Sequence, residues 1–209
     1  MRALGMILLL ALLGACSSTR LVSEWKNPDI QLFRAEKVLV LGITPDTTSR
    51  IMFEERLVES LLAKDVDAVS SMTTTMGREL DDDFDLTRLK ELEKNWAAQG
   101  FDAVLVSKIT GQENRKSVVQ SARGFMDEFQ NFSDYYDSSR EVYARPSSDS
   151  YQVFNAESSV FCICPGQTRN LVWRGRIDII DPNRGNRSIK DYVRTLIQAM
   201  AEQNILTSI

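Results

Sequence analysis

The chain has 209 residues, 43% of them hydrophobic, with 25 basic and 29 acidic side chains and a formal charge of −4. That length and apolar content suit one domain with a core, and the acidic balance argues against a dedicated nucleic-acid binder, which is strongly basic. The chain contains no histidine, so a Ser-His-Asp triad, a Cys-His dyad and a histidine-built zinc site are excluded; carboxylate pairs and Ser-Lys dyads stay open.

Taken in chain order, Arg2 precedes an apolar run from Ala3 to Leu13, and Leu13-Gly14-Ala15 leads into Cys16. These are the parts of an export signal. The run is shorter than the roughly 20 apolar residues that span a bilayer. Polar residues from Ser17 onward predict a tether over 16–36. Loss of residues 1–15 leaves 24 basic against 29 acidic side chains, a charge of −5, which argues against broad electrostatic adhesion to anionic lipid.

Lys37 to Ile43 is a continuous apolar run, as in a strand buried on both faces. An amphipathic helix is predicted from Thr47 to Lys64, with Phe53, Leu57 and Leu61 on its apolar face. A weaker strand covers Val66 to Ser70. A second helix, capped by Asp83 or Asp85, carries the stripe Leu86, Leu89, Leu92 and Trp96 and stops at Gly100. The third strand runs from Phe101 to Ile109. Asp81-Asp82-Asp83-Phe84-Asp85 lacks the glycine turn and distant bidentate glutamate of a calcium loop, and reads as a solvated loop feeding that helix.

Residues 110–150 form a polar, aromatic-containing excursion. Gln152–Cys164 and Leu171–Ile180 then read as a hairpin across Pro165-Gly166-Gln167. In the second run Val172, Arg174, Arg176 and Asp178 alternate with Leu171, Trp173, Ile177 and Ile179, so one face is expected to be wet or covered by a partner. Ser188, with Asp191 three residues on, resembles a capping box. The last helix carries Ile189, Val193, Leu196, Ile197 and Met200, and Asn204 suits a left-handed terminus. The expected fold is α/β and three-layered: a mixed five-stranded sheet in the order β-α-β-α-β-β-β-α, a single domain over 37–209.

Two resemblances follow from these residues. Leu13-Gly14-Ala15-Cys16 resembles the lipobox of bacterial lipoproteins. That resemblance implies diacylglycerol on the Cys16 sulfur and acylation of its new N-terminus; with Ser17 next and no aspartate there, it implies anchoring on the periplasmic face of the outer membrane. The stretches "KVLVLGITPD", "GFDAVLVSKITG" and "NLVWRGRIDIIDP" are similar to a group of uncharacterised bacterial envelope lipoproteins, across Trp25 to Ile209. More loosely, the element order is similar to the Tol translocation protein N-terminal domain, the curli-secretion lipoprotein and the penicillin-binding-protein activator lipoprotein. These imply a non-enzymatic adaptor with no cofactor beyond the lipid on Cys16. No binding residue carries over.

The residues themselves offer three further features. Cys162 and Cys164 lie two apart on one strand, where a regular spacing of about 7 Å is at the edge of disulfide reach. They are expected to be buried and reduced or only partly oxidised; a strained or intermolecular bridge and metal or redox work are the alternatives. Between residues 165 and 194, Arg169, Arg174, Arg176, Arg184, Arg187, Lys190 and Arg194 face only Asp178, Asp181 and Asp191, a local charge of +4. This is a solvated surface or a site for anionic glycan, headgroup or acidic protein. Finally, Phe125, Phe129, Phe132 and Tyr136 recur at helical spacing, either packed on their own domain or held for a partner. The functional expectation is an envelope binding or assembly factor that meets its partner through these aromatics with Arg174 and Arg176. The alternative is a carrier or sensor of a small envelope ligand, which would need a pocket.

Overall fold

A computed structural model describes residues 18–74, 86–114, 152–164, 171–180 and 185–206. Cys16, Phe125, Phe129, Phe132, Tyr136 and the Asp81–Asp85 run lie outside the described residues. Six strands, β1 (Thr19–Lys26), β2 (Val38–Ile43), β3 (Ala68–Ser70), β4 (Ala103–Asn114), β5 (Gln152–Cys162) and β6 (Leu171–Ile180), form one open sheet in the order β1-β6-β5-β4-β2-β3. The β3-β2-β4 part is parallel and the β4-β5-β6-β1 part antiparallel. Helices α1 (Thr47–Leu62) and α3 (Asn186–Glu202) pack on one face, and α2 (Leu86–Ala98) on the other. The three-layer mixed α/β architecture is as expected.

The sheet has six strands where the sequence predicts five. The extra strand, β1, comes from the stretch read as a tether. Its polar-apolar alternation is broken by a register shift between Leu21 and Ser23, which hides the period of two. Residues 27–36 are also attached: Phe33 N donates to Asn204 O at 3.0 Å and Glu36 N to the Asp102 carboxylate at 2.8 Å. Strand β4 runs on to Asn114, five residues past the expected end, because Gly111–Asn114 continue the ladder with β5.

The larger core cluster joins Val38, Val40 and Leu105 of the sheet to Leu57 and Leu61 of α1 and Val193, Leu196 and Met200 of α3. The smaller one places Leu92 and Trp96 of α2 on Leu39, Leu41, Val104 and Val106. Strand β2 is therefore covered on both faces, as its unbroken apolar run requires. In β6 an irregularity in the pairing with β5 near Val160 and Phe161 breaks the alternation, so Val172 joins the larger cluster together with Trp173, not the arginine face. Trp173 lies across Gly175; a Cβ there would sit 2.3 Å from its ring.

Helix α3 starts earlier than its sequence suggests. Gly185, at φ 51°, occupies the N-cap, a conformation that favours glycine. Ser188 is consequently inside the helix and buried, and Asp191 is buried too. Gly100 (φ 85°) and Asn204 (φ 56°) end the second and third helices in left-handed conformations, as their positions predict.

Candidate functional site

At the end of the sheet where β2 finishes, α1 and α3 both begin, and between them opens a mostly apolar cleft of about 240 Å³. Ile43, Phe53, Ile109, Phe154, Ile179 and Ile189 supply its apolar wall. Ser107 and Tyr192 add the polar part. Tyr192 OH and Ser158 Oγ are 2.8 Å apart, and Ser158 Oγ also meets Ser107 Oγ, all buried. Phe53 meets Tyr192 edge-on with ring centroids at 5.9 Å. In open α/β sheets the carboxyl ends of the parallel strands are where ligands bind.

One wall of the cleft is held by a buried carboxylate. Glu54 is fully buried. It accepts from Gly42 N at 2.9 Å, Arg50 Nε at 3.0 Å, Ser70 Oγ at 2.7 Å, Ser71 Oγ at 2.8 Å and Met72 N at 3.2 Å. It thereby ties the end of β2 to α1 and to the turn after β3. Gly42 keeps the approach close, since a Cβ there would lie 3.1 Å from Phe53 Cδ1. At the start of α1, Asp46 accepts from Thr48 N and Ser49 N. The hydroxyl and N–H of Ser49 hold its carboxyl below the usual carboxylate range.

The chain enters the fold beside this cleft. Ser18 is buried; its Oγ donates to Asp191 Oδ2 at 2.8 Å, and its carbonyl accepts from Ile180 N at 2.7 Å. Thr19 pairs with the cleft residue Ile179, and its hydroxyl meets that of Thr195 at 2.9 Å. Asp191 also pairs with Arg194.

On the opposite face a charged group crosses the sheet. Arg174 Nε lies 3.6 Å and Arg176 3.8 Å from the Glu157 carboxylate. Lys108 stands opposite Glu157 in the β4–β5 register. Burial, opposed by Glu157 and reinforced by Arg174, brings the Lys108 ammonium down to about 8. Of the arginines singled out from the sequence, Arg174 is thus buried and ion-paired within the sheet, and Arg176 is mostly covered. The exposed basic residues Lys190 and Arg194 of α3 instead line, with Arg56 of α1 and Lys64 just after it, a separate groove between the two helices.

Cys162 and Cys164 form a disulfide with Cα atoms 5.3 Å apart, against the expectation of reduced or only partly oxidised thiols. The geometric objection assumed a regular strand. Strand β5 ends at Cys162, so the chain is no longer extended across the pair. Cys162 is buried and Cys164 half-buried.

Glu54, Ser158 and the Ser18–Asp191 contact were not anticipated from the sequence. Only Glu54 left a signal: Arg50 and Glu54 stand on the same helical stripe as Leu57 and Leu61, where charges are out of place unless paired.

No protein-family model matches this chain, and no curated protein does. Among solved structures it is similar to the PelC dodecamer from Paraburkholderia phytofirmans, with a TM-score of 0.46 and 11% identity over 90% of this chain and 98% of that one. It is also similar to lipoprotein GNA1162 from Neisseria meningitidis, with a TM-score of 0.40 and 14% identity over 80% and 95% of the two chains.

Proposed function

We propose that this protein is a lipid-anchored periplasmic component of the outer membrane that acts as a non-enzymatic binding or assembly factor. The observation that carries the reading is the attachment of Ser18. Cys16, the lipobox cysteine, is only two residues from it, at most about 7 Å of chain. A lipid on Cys16 therefore holds the folded domain close to the bilayer rather than on a long leash, with the cleft end toward it. A domain so placed suits contact with other envelope components.

Cys16→Ser is the direct test. The native protein should show an acylated Cys16 by intact mass and fractionate with outer membranes; the variant should do neither. An unmodified Cys16 in the native protein ends the reading. For the binding role, in-cell crosslinking followed by mass spectrometry should recover defined envelope proteins or glycan. The aromatic segment Phe125, Phe129, Phe132 and Tyr136 is the proposed partner-facing region; Arg174 and Arg176, held at Glu157 within the sheet, are not part of it. Phe129→Ser with Phe132→Ser should remove those crosslinks without lowering thermal stability. A sharp drop in stability would assign the aromatics to the core instead.

The second reading, a carrier or sensor of a small envelope ligand, is favoured by the apolar cleft.

A further inference from the structure

The cleft and the point where the chain enters the fold lie together. Ile179 lines the cleft and is the β-partner of Thr19. Ile189 also lines it, two residues before the Asp191 that binds Ser18. We infer that the cleft is a binding site for an alkyl chain, and that its occupant is one acyl chain of the lipid carried by Cys16. This rests on the acylation of Cys16 proposed above.

Three observations point to that occupant. The lining is dominated by isoleucine and phenylalanine, with polar groups that are largely paired with each other: Ser107 with Ser158, and Ser158 with Tyr192. Such a wall offers an alkyl chain contact without leaving a buried donor or acceptor bare. The volume of about 240 Å³ is roughly one and a half times that of an apolar cavity known to hold benzene. That is room for about half of a palmitoyl chain. Ser18 is fixed, so the lipid on Cys16 starts within about 7 Å of Ser18, whose neighbour Thr19 pairs with the cleft residue Ile179. A covalently tethered chain competes at millimolar effective concentration, well above a free amphiphile in solution.

The lipobox pattern implies three acyl chains. With one in the cleft, two remain in the bilayer, and two suffice for stable anchoring. The domain then has two attachments, the backbone at Ser18 and the chain in the cleft, and its cleft end cannot swing freely from the membrane.

The test uses full-length protein from cells fed a diazirine-bearing palmitate analogue. Intact mass first establishes acylation of Cys16. The protein is then irradiated in phosphatidylethanolamine/phosphatidylglycerol vesicles, and crosslinked peptides are mapped. Crosslinks from the Cys16 lipid to peptides containing Phe154, Ile179 or Ile189 are expected. Ile189→Phe, which fills the cleft, should lower them at least tenfold at unchanged melting temperature; if that variant unfolds, Ile109→Phe fills it from β4. In a second arm, Cys16→Ser protein meets the free analogue in the same vesicles at the same concentration, and cleft labelling should be at least tenfold weaker.

Three outcomes overturn the inference. Acylated Cys16 with labels confined to lipid or to residues outside the cleft removes the alkyl site and leaves the anchor intact. Equal labelling of the Cys16→Ser protein assigns the cleft to bulk lipid and not to the protein's own chain. An unacylated Cys16 removes both the site and the anchor.

Discussion

The two ends of the sheet are built differently. Where β2 and β4 begin, the backbone closes on itself. Val38 N donates to Asp67 O, Val66 N to Leu61 O, Phe101 N to Trp96 O and Ile163 N to Asp102 O. The Asp102 carboxylate accepts from Glu36 N and Lys37 N, and the Cys162–Cys164 bridge lies beside it. Where β2 ends, side chains do the joining: Glu54 with two serines and an arginine, Asp191 with Ser18, Tyr192 with Ser158. Between them the cleft remains open. Backbone closure is insensitive to side-chain identity, whereas side-chain closure can be shaped to a ligand. The sealed end closes largely through its backbone, and the open end depends on a few buried side chains.

The sharpest way to break this contrast is at Glu54. Glu54→Ala leaves Arg50 buried without its carboxylate and strips four other donors, and should cost about 3–5 kcal/mol. Urea unfolding measures it; a loss below about 1 kcal/mol would mean the open end does not depend on its carboxylate. Next is Lys108. In an unfolded chain this lysine titrates near 10.5 and in the fold at about 8. Between those values the unfolded state holds more protons, so stability rises with pH from about 8 to about 10.5. Below pH 8 both states are charged and the full burial penalty, of order 3 kcal/mol, is present. Lys108→Met should flatten that rise, and identical pH profiles for the two proteins would contradict it.

At the sealed end the effects should be smaller. Asp102→Ala removes two backbone hydrogen bonds to a carboxylate and should cost about 2 kcal/mol, because the surrounding backbone pairs survive. The smallest effect belongs to the disulfide, whose closed loop is so short that chain entropy allows it only about 1.5 kcal/mol. Thiol labelling of denatured protein should find Cys162 and Cys164 blocked until reductant is added. Free thiols there would restore the expectation drawn from strand geometry.

Much of the fold was legible because its strands and helices carry their burial in their pattern. The apolar run of β2, which needs cover on both faces, and the stripes of α1, α2 and α3 announce three layers directly. Strand β1 did not, since a bulge disrupts its alternation and half of its pairing potential goes to an edge. The cleft was illegible for a different reason. Ile43, Phe53, Phe154 and Ile189 come from four separate elements, and each alone reads as ordinary core. Lys108 and Arg174 look like surface charge until the sheet brings Glu157 between them, a meeting that depends on register and not on local sequence.

The contact between Ser18 and Asp191 spans 173 residues, and this sets an order of events. Strand β1 pairs with β6 and Thr19 meets Thr195 of α3, and these are the last elements to be synthesised. Chains fold from the N-terminus as they emerge, so here the first strand must wait for the last, a closure of high contact order. Residues 19–26 therefore stay unpaired throughout synthesis, and join the sheet only when the domain is complete. Chains truncated before residue 171 should leave amides 19–26 unprotected in hydrogen exchange, while the full chain protects them.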